Sequence, residues 1–408
     1  MARRHLVVSL DIGTTKTVAL VGEVEDYSRI NLIGVGQAPS QGLRRGVIVN
    51  IGEAAGAIDL ALEKAERMSG VQITGALVGM TGAGITSVNS RGVIAVFGED
   101  REITDEDVQR AVNNSRFVTI PAGSSILHVI PRQFVVDGCG GIRDPAGMMG
   151  ARLEVESHII SVATTSVQNV VKSVKRAGLK LQGLVLSPLA ACEAVLHPGE
   201  RDLGVVLVDI GGGTTSITLY EGGSPWFTSV LPVGGDHITS DLAVGLRTGL
   251  VEAEKVKIEH GCLMAGLAYD REAGEVPGAG GSGSQRVSRR QLAGIIEPRV
   301  QEILSLVQSE ISRSGYRGVL PGGVVLTGGT ASLKGISEFA QAELGLPVRI
   351  GLPTRLGGLF DVAGTPAYAS GIGLLLKAAR NYHEEMVRRD PLLGGLWGKL
   401  KSWWRELA

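Results

Sequence analysis

The stretch Asp11-Ile12-Gly13-Thr14-Thr15 directly follows a short apolar segment, and Asp209-Ile210-Gly211-Gly212-Gly213-Thr214-Thr215 repeats its pattern farther along. Strand-like residues flank each stretch on both sides, so each predicts a β-hairpin whose turn consists of glycine and threonine. A single repeat at so wide a spacing is typical of two related halves and not of an array of short units. The sequence therefore predicts two lobes, each with one such hairpin.

A third glycine element, Thr327-Gly328-Gly329-Thr330, follows the apolar residues 324–326. Glycine lets backbone N–H groups approach phosphate oxygens, and threonine hydroxyls add donors. An aspartate at the end of a strand can hold a hydrated Mg²⁺ ion, which prefers oxygen ligands. The three elements thus predict a nucleotide site with the phosphates held between the lobes. It is not a P-loop, because the sequence has no Gly-x-x-x-x-Gly-Lys run followed by serine or threonine.

The composition of the 408 residues is that of a folded protein without a broad basic surface. Hydrophobic residues make up 44% and charged residues 20%, and 40 basic side chains nearly balance 41 acidic ones. This balance argues against nucleic acid as a partner. The three cysteines lie far apart, unlike those of a zinc site or a disulfide framework. We expect no signal peptide and no bilayer-spanning segment, because no apolar run is long enough.

Strand-like and helix-like segments alternate along most of the chain, which predicts an α/β architecture. Residues 85–162 interrupt the alternation with strands around a helix that starts after Thr104, so we expect an inserted α+β subdomain there. The Gly/Ser/Pro-rich residues 273–284 are expected to form a flexible surface loop. Helices are predicted at residues 54–68, 167–177, 189–196, 238–246, 252–259, 291–312 and 368–384.

Further stretches carry a resemblance to a known family. They are residues 79–82, 89–93, 127–138, 142–148, 234–243 and 296–299. With the three glycine elements, they resemble the actin/Hsp70/sugar-kinase ATPase superfamily and, within it, the FtsA family of bacterial cell-division proteins. The resemblance spans almost the whole chain. It implies an actin-like two-lobed ATPase fold with an inserted α+β subdomain and a C-terminal amphipathic helix.

The resemblance also implies a division into subdomains. The first lobe would comprise subdomain 1A, with residues 1–84, 164–200 and a return helix at 364–383, and the inserted subdomain 1C, with residues 85–163. The second lobe would comprise subdomain 2A, with residues 201–234 and 301–363, and subdomain 2B, with residues 235–300. A linker at 384–391 and a membrane-targeting helix at 392–408 would follow.

ATP and Mg²⁺ are the ligands that the resemblance implies. Asp11 and Asp209 would be the catalytic residues and would hold the magnesium ion through water molecules. The residues that would contact the nucleotide are Gly13, Thr14, Thr15, Lys16, Gly211, Gly212, Gly213, Thr214, Gly234, Gly235, Glu254, Lys257, Gly328, Gly329 and Thr330. From the residues alone, an exposed helix face is the more natural interpretation of Glu254 and Lys257.

The residues expected to activate water for hydrolysis are missing from their usual place. Many members of the superfamily carry an acid just before the proline of the connecting helix, where it orients water. Here Ser187 precedes Pro188, and Glu193 is expected to face elsewhere. We therefore predict tight ATP binding with slow or no turnover.

The C-terminal residues 392–408 predict an amphipathic helix. Its apolar face would comprise Leu393, Leu396, Trp397, Leu400, Trp403, Trp404 and Leu407, and its basic residues would be Lys399, Lys401 and Arg405. Tryptophan and lysine in this arrangement favour the surface of an anionic membrane. A helix docked on the protein's own core is the alternative. The resemblance favours the membrane, and it places the protein peripherally on the cytoplasmic face of the cell membrane, at the division site.

Several partners follow from the resemblance. One is a second copy of the chain, in actin-like protofilaments built through the inserted subdomain; others are anionic lipid and later division proteins. The C-terminal tail peptide of the tubulin-like protein FtsZ would bind on residues 235–300, so that the protein tethers FtsZ to the membrane and helps to assemble the septum. Arg286, Arg290 and Arg299 would meet this acidic peptide, with a solvated helix face as the alternative.

Two other functions stay open on the residues. A small-molecule kinase of the same superfamily needs a catalytic aspartate and a substrate pocket that the sequence does not identify. An adaptor similar to the pilus-assembly protein PilM shares the inserted subdomain. Neither accounts for the tryptophan-rich tail.

Overall fold

The computed structural model describes residues 5–26, 29–98, 100–263, 272–278, 283–353 and 356–389. Two sheets form the centres of two lobes, and each sheet contains one of the two glycine-threonine hairpins. The fold is therefore the two-lobed α/β fold expected from the repeat.

The first sheet has six strands in the order β11-β6-β1-β2-β3-β19. They are β1 (His5–Ile12), β2 (Lys16–Asp26), β3 (Arg29–Pro39), β6 (Gly75–Met80), β11 (Lys180–Leu186) and β19 (Leu356–Gly358). A small hairpin of β4 (Leu43–Arg44) and β5 (Val47–Ile48) precedes α1 (Ile51–Ser69). The lobe also contains α3 (Thr164–Arg176), α4 (Ser187–Val195), α5 (Pro198–Leu203) and α11 (Ala369–Arg389).

The second sheet has five strands in the order β14-β13-β12-β17-β18. They are β12 (Val205–Ile210), β13 (Thr215–Glu221), β14 (Ser224–Leu231), β17 (Val324–Thr327) and β18 (Val348–Ile350). The helices of this lobe are α6 (Gly235–Gly245), α7 (Leu250–His260), α8 (Arg289–Arg313) and α9 (Ile336–Leu344), whereas α10 (Phe360–Ala363) packs in the core of the first lobe. The buried strand residues Val208, Ile217 and Leu326 pack with Ile296 and Ile303 of α8 in one hydrophobic core.

The two sheets place their aspartates at equivalent positions. Asp11 on β1 lies opposite Val18 in an antiparallel pair and opposite Gly79 in a parallel pair. Asp209 on β12 lies opposite Ser216 and Thr327 in the same two kinds of pair. The repeated sequence motif therefore has the same strand pairing and forms the same kind of turn in both sheets.

The inserted subdomain is a four-stranded sheet in the order β7-β10-β8-β9, covered by one helix. It contains β7 (Thr86–Ala95), α2 (Asp105–Ser115), β8 (Ser124–Val136), β9 (Cys139–Ile142) and β10 (Arg152–Ala163). Thr104 and Asp107 form the N-terminal capping box of α2. Phe134, Leu153 and Val108 are fully buried in the core of this unit. This is the α+β insertion that the sequence predicts.

Two expectations differ from the structure. Residues 273–284 are not a loop throughout, because β15 (Glu272–Pro277) pairs with β16 (Ser284–Ser288). Val276 and Val287 are buried, which gives these short strands an apolar side to pack. The chain also returns to the first sheet earlier than residue 364, because β19 pairs with β3 in parallel.

Polar side chains of the inserted subdomain bind the outer strand of the second sheet. Ser87 Oγ donates to the carbonyl of Thr228 at 2.8 Å and accepts from its N–H at 3.0 Å, and Asn89 Nδ2 donates to the carbonyl of Trp226 at 2.9 Å. His158 lies between them, with Nδ1 2.7 Å from Asn89 Oδ1 and Nε2 3.1 Å from Thr228 Oγ1. The imidazole thus donates to the amide oxygen and accepts from the hydroxyl, which requires its neutral form.

The neutral state of His158 makes the folded protein sensitive to acid. Burial, with a contribution from Arg132, lowers the pKa of this imidazole from 6.5 to about 3. Unfolding therefore takes up a proton between these values, and the free energy of unfolding should fall with falling pH by up to about 1.4 kcal/mol per pH unit. We expect His158→Gln, which cannot titrate, to lose this contribution in chemical denaturation between about pH 4 and pH 7. Parallel pH profiles of parent and variant would contradict the assignment.

Helix α11 packs closely on α4. Gly373 of α11 lies so near the carbonyl oxygen of Ala190 in α4 that a Cβ atom would overlap it. Gly56 of α1, by contrast, has open space where its Cβ would lie. The substitution of glycine by alanine can therefore be compared at a crowded position, Gly373, and at an open one, Gly56.

Gly56→Ala should raise the free energy of unfolding by about 0.5–1 kcal/mol, because alanine favours the helix. Gly373→Ala should lower it by about 1–3 kcal/mol, because the methyl group forces the two helices apart. Urea denaturation of both variants measures the difference. Equal stability of the two would contradict the close packing of α11 on α4.

Candidate nucleotide-binding site

The two hairpin turns meet between the lobes. A Cβ atom on Gly212 would overlap Thr15 Oγ1, and one on Gly213 would lie 2.6 Å from Thr14 Cγ2. Only glycine at these two positions lets the second turn lie so close to the threonine side chains of the first. The contact of the two turns therefore depends on Thr14 and Thr15 on one turn and on Gly212 and Gly213 on the other.

Each turn is held by the same hydrogen bond. The N–H of Gly13 donates to the carbonyl of Lys16 at 3.1 Å, and the N–H of Gly211 donates to that of Thr214 at 2.9 Å. Thr14 Oγ1 accepts from the N–H of Gly46 at 2.9 Å. These bonds fix the turns, and they place both sets of turn residues at the cleft as the sequence predicts.

Two aspartates lie at the base of the turns, each bound to a serine. Asp11 Oδ1 accepts from Ser187 Oγ at 2.9 Å, and Asp209 Oδ2 accepts from Ser370 Oγ at 3.2 Å. Desolvation, reinforced by the charge of Asp11, raises the pKa of Asp209 to about 6. Desolvation likewise raises the pKa of Asp11. Two desolvated carboxylates, one of which raises the pKa of the other, are a suitable environment for a cation.

The residues fit a hydrated magnesium ion. No group of three His, Cys, Asp or Glu side chains gathers within the described ranges, so the protein alone offers no closed metal cage. Mg²⁺ commonly takes one or two carboxylates and fills its other positions with water and phosphate oxygens. Asp11 and Asp209 supply that donor set.

Lys16 extends beside the two aspartates. Its Nζ lies 3.7 Å from the centre of the Tyr368 ring, a cation–π contact. Desolvation lowers the pKa of Lys16 to about 8, while Asp11 and Asp209 act in the opposite direction. The ammonium group thus remains mostly protonated at neutral pH and is available to an anion.

The third glycine element forms the other wall of the site together with the start of α6. The N–H of Gly235 and the hydroxyl of Thr330 both donate to the carbonyl of Gly211, at 2.9 and 3.3 Å. Gly328 has a positive φ of 86°, and Gly329 begins a 3₁₀ turn that ends at Ser332. Gly234 precedes α6 as its N-cap. The structure therefore brings the elements expected at the nucleoside end together with the second phosphate turn.

Lys257 of α7 points inward, and Glu254 is half-buried beside it. Lys257 is buried, and its Nζ lies 2.6 Å from Glu254 Oε2. The same ammonium donates to the carbonyl of Gly235 at 3.0 Å and to Thr239 Oγ1 at 2.8 Å. The exposed-face interpretation is therefore wrong, and the pair supports the glycine wall of the site.

Two residues of the site escaped the sequence analysis: Tyr368, which covers Lys16, and Ser370, which binds Asp209. Both residues lie more than 150 positions from their partners along the chain, 161 in the case of Ser370 and Asp209. Neither belongs to a glycine motif. The run Tyr368-Ala369-Ser370-Gly371 at the start of the last helix was the available sequence feature.

The position expected to activate water holds no acid. Ser187 binds Asp11 instead, and Glu193 lies in an ion-pair cluster with Arg201 at 3.0 Å and Arg380 at 2.9 Å. Glu193 therefore faces away from the site, as expected.

The residues proposed to meet a partner peptide are already engaged in part. Arg299 forms a paired contact with Asp241, at 2.6 and 3.0 Å, and a further ion pair with Glu302. Arg286 lies 3.7 Å from Glu275. Arg290 is exposed on α8. The tail residues expected at the membrane, Leu393, Leu396, Trp397, Lys399, Leu400, Lys401, Trp403, Trp404, Arg405 and Leu407, lie outside the described residues.

The described helices include none that is both long and apolar enough to cross a membrane.

Comparison with known proteins gives two family matches. Residues 206–373 match the model of the cell division protein FtsA, and residues 82–161 match that of the SHS2 domain inserted in FtsA. The chain is 44% identical to the cell division protein FtsA of Neisseria meningitidis over 408 residues, with 98% of each chain covered. It is 42% identical to that of Pseudomonas aeruginosa over 381 residues, covering 93% of this chain and 91% of that protein.

Solved structures share the fold at low identity. A chain of the PilM–PilN type IV pilus biogenesis complex superposes with a TM-score of 0.65 at 17% identity, covering 92% of this chain and 99% of that one. MreB5 of Spiroplasma citri bound to ADP gives a TM-score of 0.55 at 15% identity, with 94% and 98% covered. These similarities confirm the actin-like fold.

Gly212→Ala should weaken ATP binding by about tenfold or more, because the methyl group pushes the two turns apart. Gly199→Ala is the matched control, since a Cβ on Gly199 meets no atom within 4 Å. Isothermal titration calorimetry with ATP and Mg²⁺ measures the affinity, and thermal unfolding checks the fold. Unchanged affinity of Gly212→Ala would show that the contact of the turns does not shape the binding site.

Proposed function

Because the chain belongs to the family of the cell division protein FtsA, we propose that it is an ATP-binding, actin-like protein that polymerises on the cell membrane and tethers FtsZ to it during septum assembly. The observation that carries the proposal is the paired-aspartate cleft in a chain so similar to these cell-division proteins.

ATP with Mg²⁺ is the proposed ligand of the cleft. The turn residues Thr14, Thr15 and Gly212 would hold the terminal phosphates through N–H groups and hydroxyls. Lys16 would leave the Tyr368 ring and add a positive charge. Magnesium, held by Asp11 and Asp209 through water, would neutralise phosphate charge there. The pair Glu254 and Lys257, with the wall from Gly328 to Thr330, would border the nucleoside, as Gly234 and Gly235 would.

The nucleotide serves as a structural and switching ligand in this proposal, with slow or no hydrolysis. Ser187 keeps Asp11 in place but cannot act as a base of the kind that carboxylates provide. Glu193 is neutralised by two arginines outside the cleft. Asp236, whose Oδ1 accepts from Thr15 Oγ1 at 3.3 Å, is a further carboxylate beside the turns, but it does not occupy the position before Pro188 that orients water in the superfamily.

Self-association is proposed to use the inserted subdomain. Phe97, Phe117 and Met149 of this unit are 78%, 88% and 61% exposed. Large apolar side chains at such exposure are typical of contact surfaces. A second copy of the chain is the partner that the family relationship suggests.

The FtsZ tail peptide is proposed to bind on residues 235–300. Arg290 is exposed, and Arg299 has a partly buried ion pair with Asp241 that an acidic peptide could exchange for its own carboxylate. Such an exchange keeps the arginine paired throughout and needs little change in its hydration.

The membrane is proposed to bind residues 392–408. Their tryptophans and leucines supply an apolar face, and Lys399, Lys401 and Arg405 supply attraction to anionic lipid. The tail follows α11, which the structure describes up to Arg389. The body of the protein would therefore lie close to the bilayer.

The two competing functions have weaker support. The pilus-assembly protein shares 17% sequence identity with the chain, whereas the cell division proteins share 42–44%. A small-molecule kinase needs a catalytic base and a substrate pocket beside the phosphates; the described carboxylates at the turns are Asp11, Asp209 and Asp236, and the sequence identifies no substrate pocket there.

Deletion of residues 392–408 should abolish co-sedimentation with anionic liposomes, whereas the full chain should bind them in the presence of ATP and Mg²⁺. Lys399→Gln with Lys401→Gln should weaken binding by roughly 1 kcal/mol for each charge removed. The truncated chain should keep its ATP affinity, which is the control for folding. Undiminished liposome binding after truncation would contradict the membrane part of the proposal and leave the nucleotide part standing.

A further inference from the structure

A second cavity, of about 300 Å³, lies away from the nucleotide cleft, where the inserted subdomain meets both lobes. Its walls come from β8, α4, α11 and the turn between β13 and β14. Its size is at the lower end of the range for small-molecule sites. No part of the function proposed above uses it.

The lining of this cavity is predominantly basic. Five arginine or lysine side chains line it against two acidic ones: Arg132, Arg143, Arg201, Lys377 and Arg380, with Asp144 and Glu193. Glu193 is shared between Arg201 and Arg380, at 3.0 and 2.9 Å. Arg143 also pairs with Asp202 at 2.7 Å, and Arg132 lies 3.3 Å from Glu156 and 3.7 Å from Glu221, so carboxylates outside the lining offset part of its positive charge.

Lys377 is the least compensated of these groups. Among the described residues it forms no hydrogen bond or close ion pair; burial lowers its pKa to about 8, and the charges of Glu193 and Glu384 offset this effect only in part. A half-buried ammonium group without a close partner is costly to keep. An acidic group of a ligand in the cavity would supply that partner.

Arg132, on the opposite wall, also has unused donors. Its side chain is 7% exposed, and Nη1 lies 3.3 Å from Glu156 Oε2. Among the described residues, however, neither its Nε nor its Nη1 has an aligned hydrogen-bond acceptor. The ring of Trp226 lies against the guanidinium at 4.2 Å and fixes its position. This is a rigid donor group at a buried site.

Apolar side chains also line the cavity, together with His128, Tyr220, Ser224 and Asn381. Val185, Leu189 and Ala190 come from the first lobe, Pro131 from the inserted subdomain and Pro225 from the second lobe. A ligand would therefore meet both cationic donors and hydrocarbon. Inorganic phosphate alone would leave the apolar side unfilled.

We propose that this cavity binds a small organic anion with an apolar body, such as an aryl phosphate or an aromatic carboxylate, with its acidic group against Lys377 and Arg132. The acidic group pairs with the two cations, and the body displaces water from the apolar wall. Since its walls come from all three units, the bound anion also holds the inserted subdomain against both lobes.

The test uses phenyl phosphate as the probe, with inorganic phosphate and benzyl alcohol as the matched charge-only and body-only compounds. The full chain, saturated with ATP and Mg²⁺ to fill the cleft, should bind phenyl phosphate at least about tenfold more tightly than either of the other two in calorimetric titration. Lys377→Met should lose at least about tenfold in affinity. Lys172→Met, the same change on an exposed helix position, should leave it unchanged.

Two further variants test whether the probe binds in this cavity or in the nucleotide cleft. Asn381→Phe fills the cavity while keeping every charge, and it should weaken phenyl phosphate to the same extent as Lys377→Met. Lys16→Met alters the cleft and should have no effect on this affinity. Loss of binding in Lys16→Met with full binding in Lys377→Met and Asn381→Phe would place the probe in the cleft and overturn the proposal. Equal affinities for phenyl phosphate and benzyl alcohol would overturn it as well.

Discussion

The close contact of two backbone turns determines how the rest of the molecule is arranged. Thr14 and Thr15 lie against Gly212 and Gly213 with no room for a side chain on the glycine side. Each turn is the end of a central strand, so the contact fixes the distance between the two sheets at this point. The strand registers then place Asp11 and Asp209 at equivalent positions on the two sides. The site thus has two carboxylates at its base, with the N–H groups and hydroxyls of the two turns beside them.

Local chemistry made the turns, the strands and the inserted unit predictable from sequence. A strand followed by Asp, Gly and Thr has few structural solutions, and Thr104 with Asp107 caps its helix through neighbouring residues alone. Contacts between distant segments were not predictable in this way. Ser370 reaches Asp209 only because α11 packs on the first sheet. Lys257 looks like a surface residue by its helix pattern, and burial beside Gly235 follows only from the docking of α7 on α6.

The junction of the inserted subdomain shows how side chains can take the place of strand pairing. Strand β14 lies at the edge of its sheet and would present unpaired backbone groups to solvent. Ser87 and Asn89 satisfy three of these groups from a separate sheet, and His158 supports them from behind. The junction is therefore specific in register yet made of a few polar contacts, which permits it to be broken and remade without unfolding either sheet.

Helix α11 begins beside Asp209 and has 21 residues, which at about 1.5 Å per residue is a rod of about 30 Å. Ser370 in its first turn binds Asp209, Gly373 locks it against α4, and Lys377 and Arg380 line the basic cavity. A rigid rod transmits displacement along its axis with little loss. Any shift of Asp209 on ligand exchange is thus delivered, through one continuous mechanical element, to the place where the tryptophan-rich terminus leaves the body.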